Sequence, residues 1–165
     1  MDFLDKAFKG FPSQEKVVSE LLRSGISVID GVAYCNSIAI SDSALGRAVN
    51  VDRRVVRSTL NKIDNTPRLK SLFSKLKSIA LLSDIASEMG CTTIEVIPKN
   101  PNESGIIADI SSTVSRAGVA IRQVAVIDDP MGNDPRLVMV LDGVFPSEYL
   151  PALRCCTGVK SIILM

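Results

Sequence analysis

The chain has 165 residues, room for one ordinary domain or two small ones, and its 46% apolar and 22% charged content is that of a packed globular protein and not of a disordered one. No uninterrupted apolar stretch approaches the roughly 20 residues that span a bilayer, and the opening MDFLDKAFKGF carries acids where a signal peptide carries a basic flank, so a cytoplasmic protein with no membrane partner is expected. Net charge is only +1, yet between Ala44 and Lys77 nine basic residues stand against two acids, whereas from Cys91 onward six basic residues stand against eight acids. Such asymmetry suits one half to a polyanion and not the other.

In chain order, the first periodic segment is Ser13 to Ser24, where Val17, Val18, Leu21 and Leu22 recur at helical spacing behind Pro12 and Gly25 supplies a stop. The following ISVIDGVAYCNSIAI breaks β-branched runs at Asp30-Gly31 and Asn36-Ser37, which predicts short strands with tight turns. Ser41 is placed to cap a helix from Asp42 to Val49. After Asn50-Val51, Asp52 is placed to cap a second helix, RRVVRSTLNKI, with Val56, Leu60 and Ile63 on its core side. Helix, short turn and basic second helix are the order and spacing of a helix-turn-helix. Thr66-Pro67 opens a further helix through about Leu76, and a short helix from Ser83 to Met89 stops at Gly90.

The remaining residues alternate by class: strand Thr93 to Pro98, helix Ile106 to Ala117, strand Val119 to Asp128, a loop with two prolines, strand Leu137 to Leu141, helix Ser147 to Cys156, strand Val159 to Leu164. The expected fold class is therefore α+β, with an N-terminal helix-turn-helix region and small β element over residues 1–90 and a ferredoxin-like βαββαβ domain over residues 91–165.

Two constellations are candidates for function. On the second helix of the pair, Arg53, Arg54 and Arg57 cluster with Ser58, Asn61 and Lys62, and Arg47 lies on the preceding helix. Guanidinium forks match phosphate oxygens and guanine edges, and Asn and Ser add base or backbone contacts, so double-stranded DNA is the expected partner. The alternative is a solvated basic face with no partner. In the C-terminal half, Asn100, Asn102, Glu103 and Ser104 precede Gly105 and Ile106 at a helix start, where unpaired N–H groups favour an anion such as an amino-acid carboxylate. There the alternative is that Gly105 only turns the chain. With no histidine, no phosphate-binding glycine loop and no metal-ligand spacing among Cys35, Cys91, Cys155 and Cys156, neither an enzyme, a metal site nor a bound cofactor is expected. The adjacent Cys155 and Cys156 leave a redox role open beside the plainer reading of packed thiols.

The segments NVDRRVVRSTLNKI, SGIIADISSTVSRAGVAIRQVAVIDDP and NDPRLVMVLDGVFPSEYLPAL resemble ACT-domain regulators of amino-acid metabolism found mainly in archaea, over about residues 14 to 165. The resemblance implies an ACT domain that binds a small amino acid at the Gly105 loop, with Asn102-Glu103-Ser104-Gly105 where related domains carry Asp-x-Pro-Gly. It also implies a homo-oligomer, dimer or higher, in which the strand Ile121 to Gln123 of another copy, with Arg122 and Gln123, forms the second wall. The implied function is a ligand-responsive transcription regulator. The alternative is a regulatory subunit that feedback-controls a biosynthetic enzyme by protein contact.

Overall fold

The computed structural model describes residues 2–127 and 135–165. The chain divides into two compact units, Met1–Ile79 and Ala80–Met165.

The first unit begins with α1 (Asp2–Phe8) and α2 (Pro12–Arg23), followed by β1 (Ser27–Ile29), β2 (Val32–Cys35) and β3 (Ile38–Ile40). It closes with α3 (Asp42–Val49), α4 (Arg53–Asn65) and α5 (Pro67–Phe73). The three strands form an antiparallel meander in chain order, turned at Asp30-Gly31 and at Asn36, with Asp30, Gly31 and Asn36 in the left-handed region that tight hairpins need. The core joins Val17, Val18 and Leu21 of α2 to Val28 and Ala33 of the sheet, Leu45 of α3, and Val56, Leu60 and Ile63 of α4. Each of the larger aliphatic side chains contributes roughly 1.5–3 kcal/mol on full burial.

Helix α1 is absent from the sequence reading, because two turns are too short for a periodicity to declare itself. Tertiary contacts hold it: Leu4 and Phe8 enter the core, the Arg68 guanidinium lies 4.2 Å from the Phe3 ring centre, and Lys62 Nζ donates to Ala7 O at 2.6 Å. Helix α5 ends at Phe73 and not at Leu76, and Thr66 does not cap it, since its hydroxyl donates back to Lys62 O at 2.8 Å.

The second unit contains β4 (Cys91–Pro98), α6 (Ile106–Arg116), β5 (Ile121–Ile127), β6 (Arg136–Asp142), α7 (Leu150–Arg154) and β7 (Val159–Leu164). Its sheet runs β5-β6-β4-β7 with every neighbour antiparallel. One face carries Ile94 and Val96 of β4 and Leu137, Met139 and Leu141 of β6 against Ile106, Ile110 and Val114 of α6 and Leu153 of α7. Strand β5 starts at Ile121 and not at Val119, because the Val119 N–H is still spent on Val114 O at the end of α6. A register shift between Ile121 and Gln123 makes Arg122 the extra residue of a bulge. Beyond it, Val124 and Val126 pair with Met139 and Leu137 on the helix side, while Gln123 and Ala125 pair with Val140 and Val138 on the other. The bulge is why simple alternation along this strand does not assign its faces. The expected end of β5 at Asp128 and the first proline of the following loop, Pro130, lie outside the described residues.

Two expected helices are shorter or different in kind. Residues Ser83–Ile85 and Ser87–Met89 form 3-10 turns, not a continuous α-helix. Their polar groups are claimed by the sheet: Gln123 Oε1 accepts from the Leu82 N–H at 2.9 Å, Gln123 Nε2 donates to Ala80 O at 2.8 Å, and the Thr93 hydroxyl donates to Ser83 O at 3.1 Å. Leu82 and Ala86 pack with Cys91 and Val140, which is why this segment belongs to the second unit and the division falls at Ile79 and not at Gly90. Between Ser147 and Cys156, a 3-10 turn Ser147–Tyr149 precedes α7, because Pro151 has no N–H with which to continue a helix from Ser147.

Candidate nucleic-acid interface and ligand loop

The start of α4 is built by local chemistry. Ser41 Oγ accepts from the Ala44 N–H at 3.2 Å and starts α3; Asn50, in the left-handed region, ends it. Asp52 Oδ1 then accepts from the Arg54 N–H at 2.7 Å and starts α4. The connection is tight enough to dictate one residue: a Cβ on Gly46 would stand 2.8 Å from Val51 O, so α3 meets the turn only where a side chain is missing. Val56, Thr59, Leu60 and Ile63 of α4 are buried, which turns Arg53, Arg54, Arg57, Ser58 and Asn61 outward on one face. Arg47 and Arg53 line a shared open cleft of about 460 Å³ at the turn, with Ser43, Gly46, Asn50 and Asp52.

The basic residues singled out in the sequence are not equivalent. Arg47, Arg53 and Arg54 are exposed. Arg57 is committed within the protein: its Nε lies 2.7 Å from Asp42 Oδ2, and its Nη1 donates to Gly31 O at 3.1 Å. Lys62 is half-buried, its ammonium donating to Ala7 O and lying 4.7 and 4.8 Å from the ring centres of Phe8 and Phe11. Its geometry is that of a staple between α4 and α1. Ser58 accepts from Gln14 Nε2 at 3.3 Å, and Asn61 is exposed beside Gly31. Sequence reasoning does not single out Ser43, Asn50, Ser13 or Gln14 as surface residues of this region; only the Pro12-Ser13 helix start signals that the last two bracket an exposed helix end.

In the second unit, Gly105 has φ +95° and begins α6 with no side chain capping it, and nothing lies within 4 Å of where a Cβ would stand. Asn100 Oδ1 accepts from the Asn102 N–H at 3.1 Å, which shapes the loop, and Ile106 is buried in the core. The Glu103 carboxylate leans over Gly158, where a Cβ would come within 2.9 Å of its Oε2. Ser104 is exposed next to Gly105. Asp109, in the first turn of α6, accepts from the Thr157 N–H at 2.8 Å, and that hydrogen bond holds its carboxyl below the ordinary value of 3.8.

Arg122 and Gln123 are not brought to this loop. Through β6 they stand level with Thr92 and Thr93, whereas the loop leaves β4 at Pro98, so roughly 20 Å of strand separates them within one chain. Arg122 Nε bonds Asp142 Oδ1 at 2.6 Å, which raises the guanidinium pKa further, and both polar atoms of the Gln123 amide are spent on Ala80 and Leu82. Cys91 and Cys156 are buried, Cys35 is half-buried and Cys155 is exposed, all four as free thiols. Among the described residues no three His, Cys, Asp or Glu side chains converge as a metal site, and no helix is long and apolar enough to cross a membrane.

No family model and no curated protein matches this chain. Solved structures similar to it include an AsnC family transcriptional regulator from Agrobacterium tumefaciens, at 12% identity over 93% of this chain and 86% of that one, with a TM-score of 0.31. A transcriptional regulator from Neisseria meningitidis, described as an L-Met complex, is 12% identical over 93% of this chain and 86% of that one, with a TM-score of 0.30. AsnC from E. coli is 9% identical over 93% and 89%, with a TM-score of 0.26. The first two are described as transcriptional regulators and not as enzymes, and scores of this size mark a loose likeness.

Proposed function

We propose that this chain is a ligand-responsive transcription regulator without enzymatic activity, whose first unit docks on double-stranded DNA and whose second unit, a ferredoxin-like domain of ACT type, binds a small amino acid and pairs with further copies. One observation carries the DNA reading: α3, a closed turn and α4 leave a polar and basic face, with Arg47 and Arg53 side by side over one cleft and a buried face opposite. A helix buried on one side and cationic on the other is what a major groove accepts. The amino-acid reading rests on the uncapped start of α6 at Gly105, whose free N–H groups suit a carboxylate. The roughly 20 Å between that loop and Arg122 supports a ligand wall completed by a second copy, since one chain does not supply both sides.

The test is duplex binding by the full chain across a salt series, with and without each of the twenty amino acids. Arg47→Ala with Arg53→Ala is expected to weaken binding and to lower the log-log salt slope by about 0.9 for each phosphate that the variant no longer neutralises. Unchanged affinity and slope would remove the DNA assignment and leave the first unit as a protein-contact module on an enzyme. A DNA affinity insensitive to all twenty amino acids would remove the ligand response.

A further inference from the structure

The two flanks of α4 differ in charge. On one side stands the β1–β2 turn, where the Asp30 side chain is 86% exposed and Asp42 occupies the Arg57 guanidinium. Lys70 offsets little of this, being 3.7 Å from Asp30 but 2.9 Å from Asp64. On the other side the α1–α2 turn, the start of α2 and α4 enclose an open notch of about 380 Å³, lined by Gly10 and Phe11 from the turn, by Ser13 and Gln14 from α2 and by Arg54 and Ser58 from α4. Among the described residues no acid lines it, Lys9 and Glu15 adjoin it in sequence, and the Lys62 ammonium lies against the Phe11 ring.

Resting on the DNA-binding reading above, we propose that this notch seats a backbone phosphate of the duplex, so that the DNA strand runs over the α1–α2 turn and not over the β1–β2 turn. The donors suit the anionic oxygens of a phosphodiester in a way the opposite flank does not. Arg54 has its backbone N–H engaged by Asp52, while among the described residues its guanidinium has no ion-pair partner. The Ser58 hydroxyl accepts from Gln14 Nε2, which leaves its own proton to donate into the notch. The Gln14 amide ties the two walls together at 3.3 Å and fixes their separation. Ser13, exposed at the rim, supplies a further hydroxyl of the kind that contacts phosphate oxygens. A polyanion approaching α4 is thus attracted on one flank and repelled on the other, which sets the direction in which the helix tilts.

The experiment uses the full chain and a mixed-sequence duplex, read by fluorescence anisotropy across a salt series. Ser13→Glu puts a negative charge at the rim while sitting at the positive end of α2, so the fold is not weakened and thermal melting checks that it is intact. Affinity is expected to fall roughly tenfold, with a salt slope smaller by about 0.9, and Arg54→Ala is expected to do the same. Asp30→Asn, which suits the same left-handed backbone, is expected to change affinity by less than about twofold. If Ser13→Glu and Arg54→Ala leave the slope unchanged while Arg47→Ala and Arg53→Ala lower it, the notch is not a phosphate seat although the unit binds DNA. If Asp30→Asn tightens binding as much as Ser13→Glu weakens it, the strand runs over the opposite flank. Failure of the wild type to bind the duplex at low salt overturns the DNA reading itself, and this placement with it.

Discussion

Two helix starts in this protein carry the function proposed above, and they are built in opposite ways. At α4 the protein closes its own turn: Asn50 takes the left-handed conformation, Asp52 caps the Arg54 N–H, and Gly46 lets Val51 O approach α3. The backbone there is engaged by the protein itself, so whatever α4 binds is met by the side chains Arg53, Arg54, Ser58 and Asn61. At α6 no side chain caps the start, and Gly105 holds a conformation that strains any other residue, with open space around it. There the proposed ligand would be met by the backbone itself. A capped start displays side chains on a rigid frame; an uncapped start reserves its N–H groups.

The capped start of α4 is most vulnerable at Gly46. A Cβ at Gly46 meets backbone, not a flexible side chain, so Gly46→Ala is expected to destabilise the first unit by about 1–3 kcal/mol and to lower duplex affinity, while the second unit keeps its stability. Urea unfolding followed by probes in each unit checks this, and an unchanged first transition would mean the α3–α4 turn has slack.

Gly105→Ala is the counterpart. A Cβ at this position meets nothing within 4 Å, so the cost is conformational only, about 1–2 kcal/mol for a left-handed alanine. The chain is expected to fold and bind duplex as before but to lose most of its amino-acid response, measured as the change in DNA affinity caused by whichever amino acid acts on the wild type. A full response in the variant would move the ligand away from the start of α6.

Smallest is the effect of Asp109, whose carboxylate holds the Thr157 N–H and so ties α6 to the turn before β7. Its folded pKa is depressed, so its contribution to stability is complete above the ordinary value of 3.8 and is lost as pH falls through the lower folded value. Asp109→Asn keeps an acceptor for Thr157 but has no proton to gain. The variant is expected to lose a small part of the acid sensitivity of melting below about pH 4, with little change at neutral pH.

Local chemistry made much of this protein readable from its residues. Ser41 and Asp52 as caps, Val56, Leu60 and Ile63 as the buried side of α4, the turn at Asp30-Gly31, Gly90 as a stop and β7 over Val159–Leu164 all depend on neighbours within a few residues. The tertiary structure decided what lies far apart in sequence. Nothing near Arg57 announces Asp42 or Gly31 as its partners, and nothing near Lys62 announces Ala7, Phe8 and Phe11, so two cations that read as DNA contacts also hold partners within the protein. The same holds for Gln123, which reads as a ligand residue and whose amide bonds Ala80 and Leu82, just before the 3-10 turns that stand where the sequence predicts a helix. Spacing along a chain specifies a helix face because the period is local; a side chain's partner is specified only once the chain has closed on itself, because a hydrogen bond or ion pair forms with whatever folding brings within about 3 Å.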